Sequence, residues 1–416
     1  MSSTAEIPTS EAPGAAAEAV ELRSLPRRAI ANLRAGELGI LPILVALIII
    51  TAFFTYENSN FISGRNFINV IVQLAATATI AIGVVFVLLL GEIDLSIGFV
   101  SGVAGVVVSE LQRPDLGVHR IGGLAAILLA IAAGAAIGAF QGSFVAFLGV
   151  PSFVVTLAGL LTWQGVILIA LGTQGVIAIQ NTLVNDVANY YLSHTAGWIL
   201  AAVGSVLFAG VTFGAVYNRR RHNIYSDNLA WVGAKVIFVA ALTWLAVAWT
   251  NRDPARGFPF AGLLVIALVV VWQFVAERTT FGRHVYAVGG NAEAARRAGI
   301  NVRSIRLIVF MIAGAMSALG GVIFAARLSS VDLNAGGGTI LLDAISSAVI
   351  GGVSLFGGRG RVQAALLGAL VIAMIANGID LVGYSSGVKF VVTGLILLAA
   401  VTLDTVARRR QAASGR

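Results

Sequence analysis

The sequence predicts an all-α, polytopic transmembrane bundle of about twelve spans, with broken or re-entrant elements and both termini cytoplasmic. Three observations carry this reading. Of 416 residues, 58% are hydrophobic and 11% charged, and mean hydropathy is +0.92, a composition foreign to ordinary soluble domains. Apolar stretches close to the roughly 20 residues that a bilayer core requires recur along the chain. The arginines gather in clusters that a single topology can place on one side of a membrane.

The stretches run over about 38–56, 66–90, 93–111, 121–149, 151–172, 197–217, 230–250, 258–276, 305–328, 339–357, 362–383 and 388–404. Residues 1–37 start acidic and rich in Ala, Pro and Ser, then carry Arg23, Arg27, Arg28 and Arg34. They read as a disordered tail with a basic juxtamembrane end. The apolar run after Glu37 is too long for a cleavable signal core. Residues 405–416 form a second basic tail, with Arg408, Arg409 and Arg410. The positive-inside rule puts both tails in the cytoplasm, which requires an even number of spans. The same count places Arg219–Arg221, the 278–306 loop and the Arg359/Arg361 turn inside, and loops 57–65, 173–196 and 329–338 outside. The membrane domain is thus 38–404, with 175–257 holding an extra pair of spans.

Several chemistries are excluded. Without cysteine there are no disulfides and no thiolate metal sites. His119, His194, His222 and His284 show no ligand spacing, so no metal and no cofactor is expected. Lys235 and Lys389 are the only lysines, and neither follows a glycine. The chain therefore has no P-loop, and any ATP used in its work is bound by another polypeptide. The basic run 218–229 reads as a topology signal beside a span, and no nucleic-acid partner is expected.

Two polar, glycine-marked elements interrupt the apolar pattern. In LLLGEIDLSIGFVSG, residues 88–102, Glu92 and Asp94 lie between apolar runs with no basic neighbour in sequence. The run from 97 to 111 is short for a span, which predicts a break at Gly91–Gly98, tolerated only where protein or a water-filled cavity receives it. Intramembrane carboxylates are suspects for function; a tight cytoplasmic turn with Asp94 capping the next helix is the competing reading. In AGGGTILLDAISSAVIGGVSLFGGRGRV, residues 335–362, Asp343, Ser346 and Ser347 sit in a helix punctuated by glycines that permit close packing and re-entrant turns. Asp343 has no evident partner nearby in sequence. The two elements occupy comparable places in the two halves, as internal repeats of transporters would. Asp94, Ser96, Asp343, Ser346 and Asn377 are the candidate path residues. Pro151 starts a helix and needs no functional account.

The 278–306 loop is the third element. Asn291 is a good N-cap and Glu293 places negative charge in the first turn. Arg296 and Arg297 occupy the last turn, and Gly299 supplies a left-handed stop. The expected exposed body is Ala292, Ala294, Ala295 and Ala298, suited to close approach by another protein. The spacing Glu293-Ala294-Ala295-x-x-x-Gly299 resembles the EAA-x3-G signature of ABC-importer permease subunits, whose short cytoplasmic helix docks in a cleft on the ATPase.

Together EIDLSIG, GVPSFVVTLAG, FGRHVYAVGGNAEAARRAGINV, LDAISSAVIGGVSLFGGRGRV and NGIDLVG resemble the permeases of bacterial ABC importers for monosaccharides, the ribose/xylose/galactose group. The match covers about residues 66–404, and the extra pair of spans resembles the longer xylose-type members. Glu92 stands where many members have glycine. The resemblance implies a multi-pass permease of the bacterial inner membrane that does no covalent chemistry. It implies an ABC ATPase subunit as partner below, an extracytoplasmic sugar-binding protein above, and a second permease copy completing a path for D-xylose or a similar sugar. It implies ATPase coupling through Gly289, Gly290, Asn291, Glu293, Ala294, Ala295 and Gly299. An ion-coupled secondary transporter and a branched-chain amino acid ABC permease are the alternatives.

Overall fold

The computed structural model describes residues 41–113, 121–222 and 228–413; the arginine-bearing tail 1–37 and His119 lie outside the described residues. Each of the twelve apolar stretches becomes a helix. In chain order they are α1 (Leu41–Glu57), α2 (Gly64–Leu89), α3 (Ile97–Glu110), α4 (Gly123–Phe147) and α5 (Ser152–Leu171). After the strand β1 (Val176–Ala178) and the short α6 (Thr182–Asn189) come α7 (His194–Arg221), α8 (Leu229–Thr250) and α9 (Phe260–Arg278). The loop helices α10 (Thr280–Gly290) and α11 (Ala292–Arg297) precede α12 (Val302–Leu328), the strand β2 (Ser330–Asp332), α13 (Ile340–Ile350), α14 (Gln363–Val382) and α15 (Ser386–Ala413).

Among the described residues eight helices are long and apolar enough to cross a membrane, namely α2, α4, α5, α7, α8, α9, α12 and α14. The other four of the twelve stretches, α1, α3, α13 and α15, form shorter apolar helices. At 1.5 Å per residue α3 covers about 21 Å and α13 about 16 Å, too little for a core of about 30 Å. Tertiary contacts show why they are short. The Ser317 hydroxyl of α12 donates to the carbonyl of Ile97, so α3 starts beside the middle of α12. Residues 331–336 then run back along α3, where Val331, Ala335 and Gly336 pack on Gly105, Gly102 and Gly98. Only then does α13 begin. Each half-helix is preceded by a stretch of turns, and the starts of the two half-helices face each other through Gly98 and Leu341.

The two halves share one pattern of contacts. α3 packs on α12, α4 and α5, while α13 packs on α2, α14 and α15. The central α2 and α12 cross with opposite direction, Gly83 of α2 on Ala313 and Gly320 of α12 on Ala76 and Ile80. Between helices in lipid there is little hydrophobic drive, so small residues that let backbones touch supply the van der Waals contact. The core sits here: α2 is buried over nearly its whole length, and Phe86 and Phe310 are fully enclosed.

The molecule has two distinguishable ends. At one, β1 pairs antiparallel with β2, Ile177 opposite Val331, and Asn189 of α6 donates to the Ala326 carbonyl at 2.7 Å. At the other lie α10, α11, the start of α12 and Arg219–Arg221 at the end of α7. The added pair α7–α8 is a peripheral hairpin, joined by Trp198 stacked near Trp244, with most of its apolar side chains facing outward. It touches the core at one corner, where Trp249 donates to the Ile62 carbonyl at 2.8 Å and Arg65 pairs with Asp253 at 3.0 Å.

Candidate functional site

The arginine-rich end is built around α10 and α11. Asn291 caps α11, its side chain accepting from the Ala294 N–H at 2.9 Å, and Gly299 ends it at φ +86°, a conformation that only glycine adopts freely. Glu293 holds Arg296 at 2.9 Å and Arg297 at 3.2 Å. The hydrogen bond from Arg296, reinforced by Arg297, keeps the Glu293 carboxyl below its ordinary value. The alanine face is smaller than expected. Ala294 and Ala298 are exposed, but Ala295 is buried in the main core and Ala292 half-buried against it, because a helix this short shares one side with α10 and Ile300. Ala295 is therefore no docking surface.

α10 is fastened to the membrane core. A side chain at Gly289 would overlap the Leu89 carbonyl at the end of α2, so this position requires glycine; Gly290 has open space around it. Phe281 stacks near Phe86, which also meets Trp272 edge-on at 5.3 Å. The Tyr286 hydroxyl donates to the Gly360 carbonyl at 2.7 Å. Its burial, helped by the nearby Glu277 carboxylate, raises its ionisation above the ordinary tyrosine value and keeps it a donor. The Gly358 N–H donates to the same Leu89 carbonyl at 2.9 Å, and Glu92 pairs with Arg306 at 3.1 Å. One junction thus joins the loop helices to the turn after α2 and the turn after α13. Beside it lies an open cleft of 430 Å³ lined by Glu277, Arg283, Tyr286 and Arg361.

The residues of the two breaks lie deeper. Asp94 and Ser96 are buried together. Asp94 Oδ1 accepts the Ser96 N–H at 2.9 Å, and the Ser96 hydroxyl lies 2.7 Å from it and 2.8 Å from Gln141 Oε1. Ser96, not Asp94, occupies the cap position of α3; Asp94 supports that start from two residues upstream, with the helix dipole in its favour. From α5, Ser152 and Thr156 bind the backbone of Ile93. In the second half Asp343 does have a sequence neighbour as partner, since Thr339 donates to Oδ2 at 2.6 Å. Its Oδ1 and the Ser346 hydroxyl are buried without partners. Asn377 joins neither group; its Oδ1 accepts from Asn66 at 2.7 Å, tying α14 to the start of α2.

Sequence reasoning missed Gln141, Ser317 and Arg306. Gln141 is the lone amide in the long apolar α4 and is almost wholly buried, a signal that an intramembrane polar residue always offers. Glu92 lacks a basic neighbour in sequence, yet Arg306 meets it in space.

Comparison with known proteins completes the description. The sequence profile of the family described as "Branched-chain amino acid transport system / permease component" matches residues 66–401. The xylose transport system permease protein of Escherichia coli (strain K12) is 36% identical over 381 residues, covering 91% of this chain and 95% of that protein. The corresponding protein of Haemophilus influenzae is 35% identical over 385 residues, 91% of this chain and 99% of that one. The ribose import permease protein of Escherichia coli (strain K12) is 31% identical over 362 residues, 87% and 92% of the two chains. No solved structure matches the chain. A helical membrane bundle with two broken elements, alike over almost its whole length to proteins named as import permeases, belongs to this family of transport-system permease components.

Proposed function

We propose that the chain is the membrane-spanning permease subunit of an ATP-binding cassette importer in the bacterial inner membrane, carrying a pentose such as D-xylose. The observation that carries this is 36% identity over 91% of the chain to a xylose permease. Of the alternatives, a branched-chain amino acid substrate has only the family description in its favour, and an ion-coupled carrier has no use for the α10–α11 junction. The subunit has no nucleotide site of its own; an ATPase binds below, a sugar-binding protein delivers substrate at the β1–β2 end, and a second copy completes the path.

In this reading the arginine-rich end is cytoplasmic and α11, with the adjoining cleft, is the ATPase contact. Closure of the ATPase pair presses on α11. Because α10 cannot move without the end of α2 and the 351–362 turn, the push reaches both breaks at once. The half-helices then rock between two discrete states, and only interactions that differ between the states shift the balance.

The test is co-purification with the ATPase and sugar-stimulated hydrolysis in reconstituted membranes. Ala294→Trp and Ala298→Trp change only exposed positions of α11 and its C-cap, so the bundle should insert normally while ATPase capture or stimulation falls. Full stimulation in both variants would remove the contact role of α11.

A further inference from the structure

The shared contact pattern sets two junctions side by side for comparison: α3 against α5, and α13 against α15. They are furnished with similar polar residues but finished differently. At the first, Asp94, Ser96, Ser152 and Thr156 each have a partner within the fold, and the Gln141 Nε2 is the buried polar atom left open. At the second, Asp343 is 7% exposed and Ser346 0%, and both Asp343 Oδ1 and Ser346 Oγ are left open. These two stand three residues apart, on one side of a helix. α15, which packs on α13, carries the half-buried Lys389 in its first turn. Lys389 forms no direct ion pair with Asp343.

A carboxylate with a spare oxygen and a free hydroxyl, with an ammonium group on the helix packed beside them, are expensive inside a membrane unless something meets them. They also complement a sugar. A carboxylate accepts from neighbouring hydroxyls, an ammonium donates to a third, and serine does either. We infer that Asp343, Ser346 and Lys389 are the groups that contact the passing monosaccharide. The inference rests on reading the chain as a monosaccharide permease.

The experiment reconstitutes the full chain with its ATPase and binding protein in liposomes and follows ATP-driven uptake of D-xylose. Asp343→Asn and Lys389→Met should each lower uptake about tenfold or more, the worth of a hydrogen bond to a charged group, with assembly and stimulated ATP hydrolysis retained. A second readout uses the absence of native cysteine. The thiol of the Ser346→Cys variant should react with a small permeant maleimide during ATP turnover, more slowly when D-xylose is present. This labelling decides alone if the charge variants fail to assemble. Wild-type uptake in both charge variants, or labelling that sugar does not change, overturns the inference and leaves sugar transport standing. A wild-type complex that moves neither D-xylose nor D-ribose would instead overturn the monosaccharide reading, and the inference with it.

Discussion

Asp94 illustrates how a single residue changes meaning once its neighbours are known. In sequence it is an unexplained carboxylate in an apolar run. In the fold it is a buried acceptor that holds the Ser96 N–H and hydroxyl at the start of a half-helix. An asparagine side chain can still accept the N–H, but alanine leaves it buried and unpaired, a loss of about 1–3 kcal/mol. Asp94→Ala should therefore lower the melting temperature of the purified protein clearly, and Asp94→Asn much less. The opposite pattern, a stable Asp94→Asn protein that has lost uptake, would return Asp94 to the transport path.

At the scale of elements, the α7–α8 hairpin depends on its single corner contact. Burial works to raise the Asp253 carboxyl, but the Ala255 N–H, Arg65 and the Arg256 N–H outweigh it and hold the group below its ordinary value. A carboxyl lower in the folded than in the unfolded state contributes stability above the unfolded value, about 3.9. That contribution is lost as pH falls through the folded value. Asp253→Asn should thus melt earlier than the parent protein at neutral pH, with the gap closing as the pH drops below about 4. A gap that is constant from neutral pH to acid would mean that the ion pair contributes nothing and the hairpin is held by Trp249 and its packing.

For the whole molecule, helix directions put Arg219–Arg221 and α11 at one end and the β1–β2 ribbon at the other. The chain has no cysteine, so introduced ones report cleanly. Arg219→Cys and Ala298→Cys should react with an impermeant reagent from the same side of a sealed vesicle, and Val176→Cys from the opposite side. Arg219→Cys and Ala298→Cys reacting from opposite sides would break the shared topology and, with it, the case for a cytoplasmic coupling end.

The linear sequence by itself determined the composition of a membrane bundle, the positions of its twelve apolar helices, and the N-cap and glycine stop of α11. These depend on local properties: transfer of apolar side chains, hydrogen bonds three residues away, and the backbone freedom of one glycine. The break at 90–96 was legible for the same reason, since a polar run between apolar ones is a local fact. That 97–111 falls short of a span was legible too, but not what receives its first turn, here Ser317 for α3. Nor could alternating polarity tell that Ala295 faces the core, that Glu92 meets Arg306, or that Ser96 meets Gln141. Those are pairings between residues far apart in the chain, and only the tertiary structure decides them.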